Sequence, residues 1–233
     1  MTITRDRVCL VMTRDDAVQY RQILITTIIL LLFAVIGTTL VAFTFENTRE
    51  QIAANERATL LRKLHRLIAP EQHDNVLLED TVSVRDEALL GTDKPVMVYR
   101  ARKDDEAVAL VIAPIAPDGY SGSIKLLVGI NIDGSLSGVR VVAHRETPGL
   151  GDAIDETRSD WIHIFDGKSL QAPVISRWAV KKDGGDFDQL TGATITPRAV
   201  VKATRNALLY YRDHQEALFA PADKGDTQEE TQE

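Results

Sequence analysis

The sequence predicts an α+β protein in which one N-terminal transmembrane helix precedes a single domain with an antiparallel sheet. Three observations predict this: a 23-residue uncharged run near the N-terminus, an alternating apolar pattern around a glycine turn, and a helical apolar pattern near the C-terminus. With 233 residues, 44% of them hydrophobic, the chain can bury one core of ordinary size. The expected divisions are an N-terminal tail (1–22), a membrane span (23–45), a stalk helix (46–69), a domain (70–220) and a disordered acidic tail (221–233).

Net charge and cysteine usage exclude several functional classes. At a net charge of −7 the chain has no general basic surface to neutralise phosphates, so nucleic-acid binding is not expected. The single cysteine, Cys9, excludes an internal disulfide framework, a thiolate-held iron–sulfur cluster and a cysteine-based zinc site. Any redox chemistry must therefore use another cofactor.

The uncharged run at residues 23–45 ends abruptly at Glu46. As a helix it would be roughly 34 Å long, enough to cross a hydrocarbon core about 30 Å thick. A cleaved secretory signal is the alternative, but such signals have an apolar region of about 7–15 residues and a small-residue cleavage site. The run is longer and lacks that site, which favours an uncleaved anchor. Basic residues flank both ends, so charge alone leaves both membrane orientations open.

Local patterns predict the elements that follow the membrane span. Helical apolar spacing predicts that the stalk helix ends before Pro70, and residues 70–95 show only short helix or loop. Alternation of apolar residues predicts strands, two of which form a hairpin that places one face of the sheet in the core. The predicted strands cover residues 96–101, 107–113, 123–132 and 136–144.

The C-terminal third contains weaker signals and one clear helix. Residues 161–165 and 174–180 are apolar and are expected to be strands or the flanks of helices. Thr196 is the predicted N-cap of a helix that starts with Pro197 and ends near Ala220.

Three glycine-containing segments are candidates for a site, at residues 119–122, 146–151 and 188–194. The first two adjoin opposite ends of the predicted hairpin, so antiparallel pairing would bring them together. The third places threonine hydroxyls at a helix N-terminus, where unpaired backbone N–H groups favour phosphate. A plain turn followed by an N-cap is the alternative interpretation of the third segment.

Two of these segments resemble known motifs. Residues 188–194 read Asp-Gln-Leu-Thr-Gly-Ala-Thr and resemble the flavinylation motif Asp-x-x-(Ser/Thr)-Gly-Ala-Thr, in which a transferase attaches FMN through its phosphate to the last threonine. Residues 146–151 read Glu-Thr-Pro-Gly-Leu-Gly and are similar to a signature of the FMN-binding domain shared by the G subunit of Rnf electron-transport complexes and the C subunit of the sodium-translocating NADH:quinone reductase. The glycine–tyrosine loop at 119–122 fits the same family. A compact domain and short tails favour the Rnf family member.

The resemblance implies a membrane-anchored flavoprotein subunit that carries electrons in an ion-translocating complex and is not a stand-alone enzyme. It implies a bacterial inner membrane, a periplasmic C-terminal domain, other complex subunits as partners and a flavin transferase for maturation. Thr194 would hold FMN by a phosphoester, and Asp188 would assist recognition by the transferase or shape the turn. The residues implied around the flavin or its ribityl–phosphate arm are Tyr120, Gly122, Glu146, Thr147, Gly149, Leu150, Thr191, Gly192, Ala193 and Thr194.

Two other functional classes compete with this interpretation. One is a cofactor-free, single-pass assembly subunit in which the glycine segments only form turns. The other is a membrane-anchored hydrolase, disfavoured because the sequence has neither Gly-x-Ser-x-Gly nor His-Glu-x-x-His. His144 and Glu146 are too few ligands for a metal site. Packing inside the fold is expected for Trp161, His163, Trp178, Tyr210 and Tyr211.

Overall fold

A computed structural model describes residues 14–220 of the chain. Its first element is a long helix, α1 (Arg14–Leu67). Contacts divide the chain into one unit that ends at Arg57 and a second that begins at Ala58. In the first unit, α1 is long and apolar enough to cross a membrane. The predicted tails lie outside the described residues, except that residues 14–22 are helical.

The threonine hydroxyls in the apolar part of α1 form hydrogen bonds within the helix itself. Thr26, Thr27, Thr38 and Thr44 each donate to the carbonyl oxygen four residues earlier, over 2.8–2.9 Å. A polar group in lipid must find a partner within the protein, because the hydrocarbon core contains no water. These four hydroxyls therefore do not oppose insertion into a membrane.

The second unit is built on a six-stranded antiparallel sheet. Its strands are β1 (Thr81–Val84), β2 (Val96–Lys103), β3 (Glu106–Ile112), β4 (Ile115–Ala116), β5 (Ile124–Asn131) and β6 (Leu136–Ala143). Across the sheet the order is β1, β2, β3, β5, β6. The short strand β4 pairs with the start of β5, on the same side of β5 as β3. Two helices accompany the sheet, α2 (Glu87–Leu90) and α3 (Ile195–Phe219).

The prediction omits two strands, β1 and β4, and expects one exposed residue to be buried. With four and two residues, β1 and β4 are too short for an alternating pattern to be separated from a loop. The hairpin of β5 and β6 is present, and Gly134 forms its turn with φ +81°. Ile132, expected on the buried face of β5, is 44% exposed because the strand ends one residue earlier.

The sequence predicts one buried face of the sheet, and the structure has two. Helix α3 covers the predicted face. On the other face, the last turns of α1 pack against a second apolar cluster that includes Val111 and Leu127. Leu67 of α1 lies over Gly129 and Gly138, which are paired across β5 and β6. The end of the predicted stalk is therefore part of the core of the second unit.

The segment between β6 and α3 is irregular and is organised by aromatic rings. The apolar stretches at 161–165 and 174–180 form 3-10 turns, Asp160–Phe165 and Ile175–Arg177, instead of strands. His163 is exposed and pairs with Asp166, so its predicted packing is wrong. Four buried rings pack together with centroids 4.7–6.3 Å apart, Trp161 edge-on to Phe165: Trp161, Phe165, Trp178 and Phe187. Tyr210 and Tyr211 are also buried, as predicted.

Candidate functional site

Helix α3 begins at Ile195, two residues before the predicted start at Pro197. Thr194 occupies the N-cap position, but its hydroxyl makes no capping hydrogen bond. Thr196 is buried, and its hydroxyl donates to Oε2 of Glu146. The prediction of Thr196 as N-cap is wrong because that hydroxyl has a partner 50 residues away in sequence, which a local pattern does not reveal.

Glu146, in the second glycine segment, connects the first segment to the start of α3. Its other carboxylate oxygen, Oε1, accepts a hydrogen bond from the backbone N–H of Ser121 over 3.0 Å. The first two segments are therefore adjacent, as the antiparallel hairpin predicts. Gly151 also packs here, and a Cβ on it would lie 2.8 Å from both Oε2 of Glu146 and Oγ1 of Thr196. Only glycine fits at this position without movement of its neighbours.

These segments enclose an open cleft of about 290 Å³. Pockets for small organic ligands occupy roughly 300–1,000 Å³, so the cleft is at the lower end of that range. The residues from the prediction that line it are Tyr120, Glu146, Thr147, Leu150, Gly192, Ala193 and Thr194. The prediction missed Gly151, Ile195 and Thr196. Gly151 closes the second motif and the other two directly follow Thr194, so proximity in sequence is the signal that could have found them.

Gly122, Gly149 and Thr191 were predicted at the site but do not line the cleft within the described part of the chain. Gly122 and Gly149 have φ values of +128° and +78°, which side chains rarely adopt. They shape the loops that carry Tyr120 and Leu150. Thr191 is exposed in the turn before Gly192. The contribution of the two glycines is therefore to backbone geometry.

The rim of the cleft is apolar and solvent-exposed. Tyr120, Leu150 and Ile195 are 67%, 43% and 43% exposed, and each comes from a different segment. A single exposed apolar side chain is ordinary, but three that converge on one cleft indicate a ligand surface. This rim offers a planar aromatic ring an apolar contact.

The N-terminus of α3 provides the polar side of the cleft. The first backbone N–H groups of a helix have no partner inside the helix, and the helix dipole favours an anion there. Arg198, in the first turn, is held away by Asp183 over 2.6 and 2.9 Å. That hydrogen bond, with the charge of the guanidinium, lowers the pKa of Asp183. Backbone N–H groups would therefore be the main donors to a phosphate beside Thr194.

Asp188, the first residue of the third segment, is anchored through its backbone. The indole N–H of Trp161 donates to the carbonyl oxygen of Asp188 over 2.7 Å, and the preceding Phe187 is buried among the aromatic rings. The carboxylate of Asp188 is 62% exposed and pairs with Lys181 over 2.5 Å. The side chain of Asp188 is therefore accessible from outside the fold.

The site fits a flavin mononucleotide in three respects. Thr194 lies on the cleft wall and its hydroxyl makes no capping hydrogen bond, the adjacent helix N-terminus favours an anion, and the apolar rim suits a flat ring. Residues 14–220 contain no group of three or more His, Cys, Asp or Glu side chains placed to hold a metal ion. The arrangement can bind an organic phosphate through backbone groups.

Comparisons with known proteins agree with this geometry. The family model described as an FMN-binding domain matches residues 119–209, and the model described as the RnfG N-terminal region matches residues 12–67. A protein of Pseudoalteromonas atlantica is 49% identical over 197 residues, which cover 84% of this chain and 92% of the relative. A protein of Pseudomonas aeruginosa is 49% identical over 88% of this chain and 96% of its own length. Both are named as the G subunit of an ion-translocating oxidoreductase complex.

Proposed function

The chain belongs to the RnfG family, the G subunits of ion-translocating oxidoreductase complexes, and we propose that it carries its FMN on the hydroxyl oxygen of Thr194. It is a membrane-anchored electron-transport subunit with an FMN-binding domain. The observation that carries the proposal is the contrast between two threonines on the same cleft. Thr196 donates its hydroxyl to Glu146, whereas the hydroxyl of Thr194 makes no capping hydrogen bond.

Attachment requires a phosphoryl transfer to Thr194. The bond from Oγ1 to the FMN phosphorus forms, the hydroxyl proton leaves, and the bond from phosphorus to the leaving group of an activated donor breaks. A flavin dinucleotide is a suitable donor class, because its phosphoanhydride releases a nucleoside monophosphate. We assign the reaction to a separate flavin transferase, because residues 188–194 resemble the motif that such a transferase modifies.

FMN, when bound, supplies reversible electron uptake, and the protein supplies position and electrostatics. The Thr194 phosphoester leaves the ring chemically unmodified and acts as a tether. Backbone N–H groups at the start of α3 would donate to the phosphate. The apolar rim of Tyr120, Leu150 and Ile195 is placed to contact the ring. None of these roles requires a general acid or base.

The remaining proposals concern partners and location. Exposure of the Asp188 carboxylate next to the anchored backbone supports its role in recognition by the transferase. We place the chain in a bacterial inner membrane with its C-terminal domain in the periplasm, beside the other subunits of the complex. A tether suits that compartment, because a flavin lost there would not be readily replaced.

Two alternatives remain to be compared with this proposal. The C subunit of the sodium-translocating quinone reductase shares the FMN-binding domain, but the matched N-terminal region and the names of the relatives support the RnfG family. A cofactor-free assembly subunit would need no unengaged hydroxyl on a cleft. The cleft and the FMN-binding family match disfavour it.

The direct test is to produce the full chain together with a flavin transferase and to inspect it on a denaturing gel under ultraviolet light. We expect a fluorescent wild-type band, no band for Thr194→Ala, and a retained band for Thr194→Ser, which keeps the hydroxyl. Thr191→Ala is the matched control, because Thr191 lies outside the cleft, and we expect its band to persist, at most weakened. Intact mass should show one added FMN less one water.

Two outcomes would contradict the proposal. A dark wild-type band in cells that flavinylate another substrate would support the cofactor-free assembly subunit. A Thr194→Ala band as bright as wild type would move the attachment to another residue.

A further inference from the structure

Glu146 is a buried carboxylate without a cation beside it. Glu146 is 4% exposed, and its carboxylate takes part in none of the ion pairs formed within residues 14–220. The nearby His144 accepts, through Nδ1, from the backbone N–H of Glu146 over 3.1 Å. Burial of a charge is costly unless hydrogen bonds compensate for it. Two donors, Ser121 N–H and the Thr196 hydroxyl, provide that compensation.

The carboxylate of Glu146 also has little space around it. A Cβ on Gly119 would lie 3.0 Å from Oε1, and a Cβ on Gly151 would lie 2.8 Å from Oε2. The backbone therefore approaches both oxygens closely, and an ionised carboxylate accepts in both of its hydrogen bonds. Glu146 lines the cleft, so the wall of the cleft carries a fixed negative charge that only dipoles offset.

We propose that Glu146 is a positioning residue for FMN that holds the loop of Tyr120 and the start of α3 in register, and that its charge lowers the reduction potential of the bound flavin. The inference rests on the proposed function. Addition of electrons makes the flavin more negative, and a fixed negative charge nearby opposes this most strongly where water is excluded.

Glu146→Gln separates the charge from the shape of the side chain. It retains the size of the residue and one carbonyl acceptor. Gel fluorescence identifies the flavinylated fraction of the full-length chain, and in that fraction we expect the reduction potential to shift upward. Asp118→Asn is the matched control, since its carboxylate is 56% exposed, pairs with Lys202 and precedes the same loop. The potential of that variant should equal that of wild type.

Thr196→Val tests the positioning role without removing the charge. Valine keeps the shape of threonine but cannot donate to Glu146, so α3 loses one tie to the loops. We expect the attached flavin to be more mobile, seen as lower fluorescence anisotropy, with no upward shift in potential. This variant keeps the inference testable if Glu146→Gln fails to accumulate.

A flavinylated Glu146→Gln protein with wild-type potential would overturn the electrostatic part of the inference. Wild-type anisotropy in Thr196→Val would overturn the positioning part. Absence of covalent flavin from the wild-type chain would instead contradict the proposed function, so the two failures are distinguishable.

Discussion

Tyr211, in the middle of α3, donates its phenolic hydrogen to the backbone carbonyl oxygen of Ile132 over 3.0 Å. Ile132 directly follows the end of β5, so this bond joins the last helix to the turn of the hairpin. Tyr211 is 3% exposed, and burial, assisted by the negative charge of Asp133, raises its pKa to about 12. This bond therefore fixes α3 to the turn of the hairpin. The candidate site lies at the other, open end of the same hairpin.

Stability should consequently fall in alkaline solution. The folded state holds the phenolic proton more tightly than the unfolded state, so the stabilisation is complete below about pH 10 and is lost as pH rises to about 12. The full loss attributable to Tyr211 is about 3 kcal/mol, from a shift of about two pKa units at roughly 1.4 kcal/mol per unit. Denaturant unfolding of the full chain in detergent at several pH values measures it.

Tyr211→Phe is the control for this pH dependence. The variant should lose less stability than wild type between pH 10 and pH 12. A residual slope will remain, because burial also raises the pKa of Tyr99 and Tyr210. Equal slopes in wild type and variant would show that Tyr211 is not the titrating group.

Trp161→Phe should loosen the segment that carries Thr194. Phenylalanine preserves an aromatic ring in the buried cluster but cannot donate to the carbonyl oxygen of Asp188. Loss of this bond should cost about 1–2 kcal/mol in the free energy of unfolding. Hydrogen exchange should accelerate at residues 188–194 and remain unchanged in β2 and β3. Unaltered exchange at residues 188–194 would mean that other contacts anchor the segment.

Leu67→Ala should destabilise the second unit although Leu67 belongs to the same helix as the membrane span. The substitution leaves a cavity over Gly129 and Gly138 and should cost about 2–5 kcal/mol. Both tryptophans of the chain lie in this unit, so their fluorescence reports its unfolding. Ile52→Ala, at a 48% exposed position of α1, is the control and should leave that transition in place. Equal transitions in the two variants would contradict a core role for the end of α1.

Local patterns predicted the elements that local interactions determine. The hairpin follows from alternation and a glycine turn, and the end of α1 before Pro70 follows from helical spacing. The role of Leu67 was not predictable, because the same spacing fits a solvated stalk and a helix packed on a sheet. The hydrogen bond from Thr196 to Glu146 was likewise not predictable, because capping rules describe only contacts between residues close in sequence.

The candidate site shows the same division. Motif resemblance identified most of the residues on the cleft, since the three segments that line it are each contiguous in sequence. It also included Gly122 and Gly149, whose positive φ angles shape the loops without lining the cleft. A motif includes both the residues that line a cleft and the residues that shape its loops, and only the folded structure distinguishes the two.

The N-cap of α3 bears on the order of events during biogenesis. Because the Thr194 side chain gives its helix no capping bond, the proposed esterification of that hydroxyl would remove no bond that holds the helix start together. On this proposal the chain would finish folding while still colourless, and the flavin would be added afterwards without loss of the helix start.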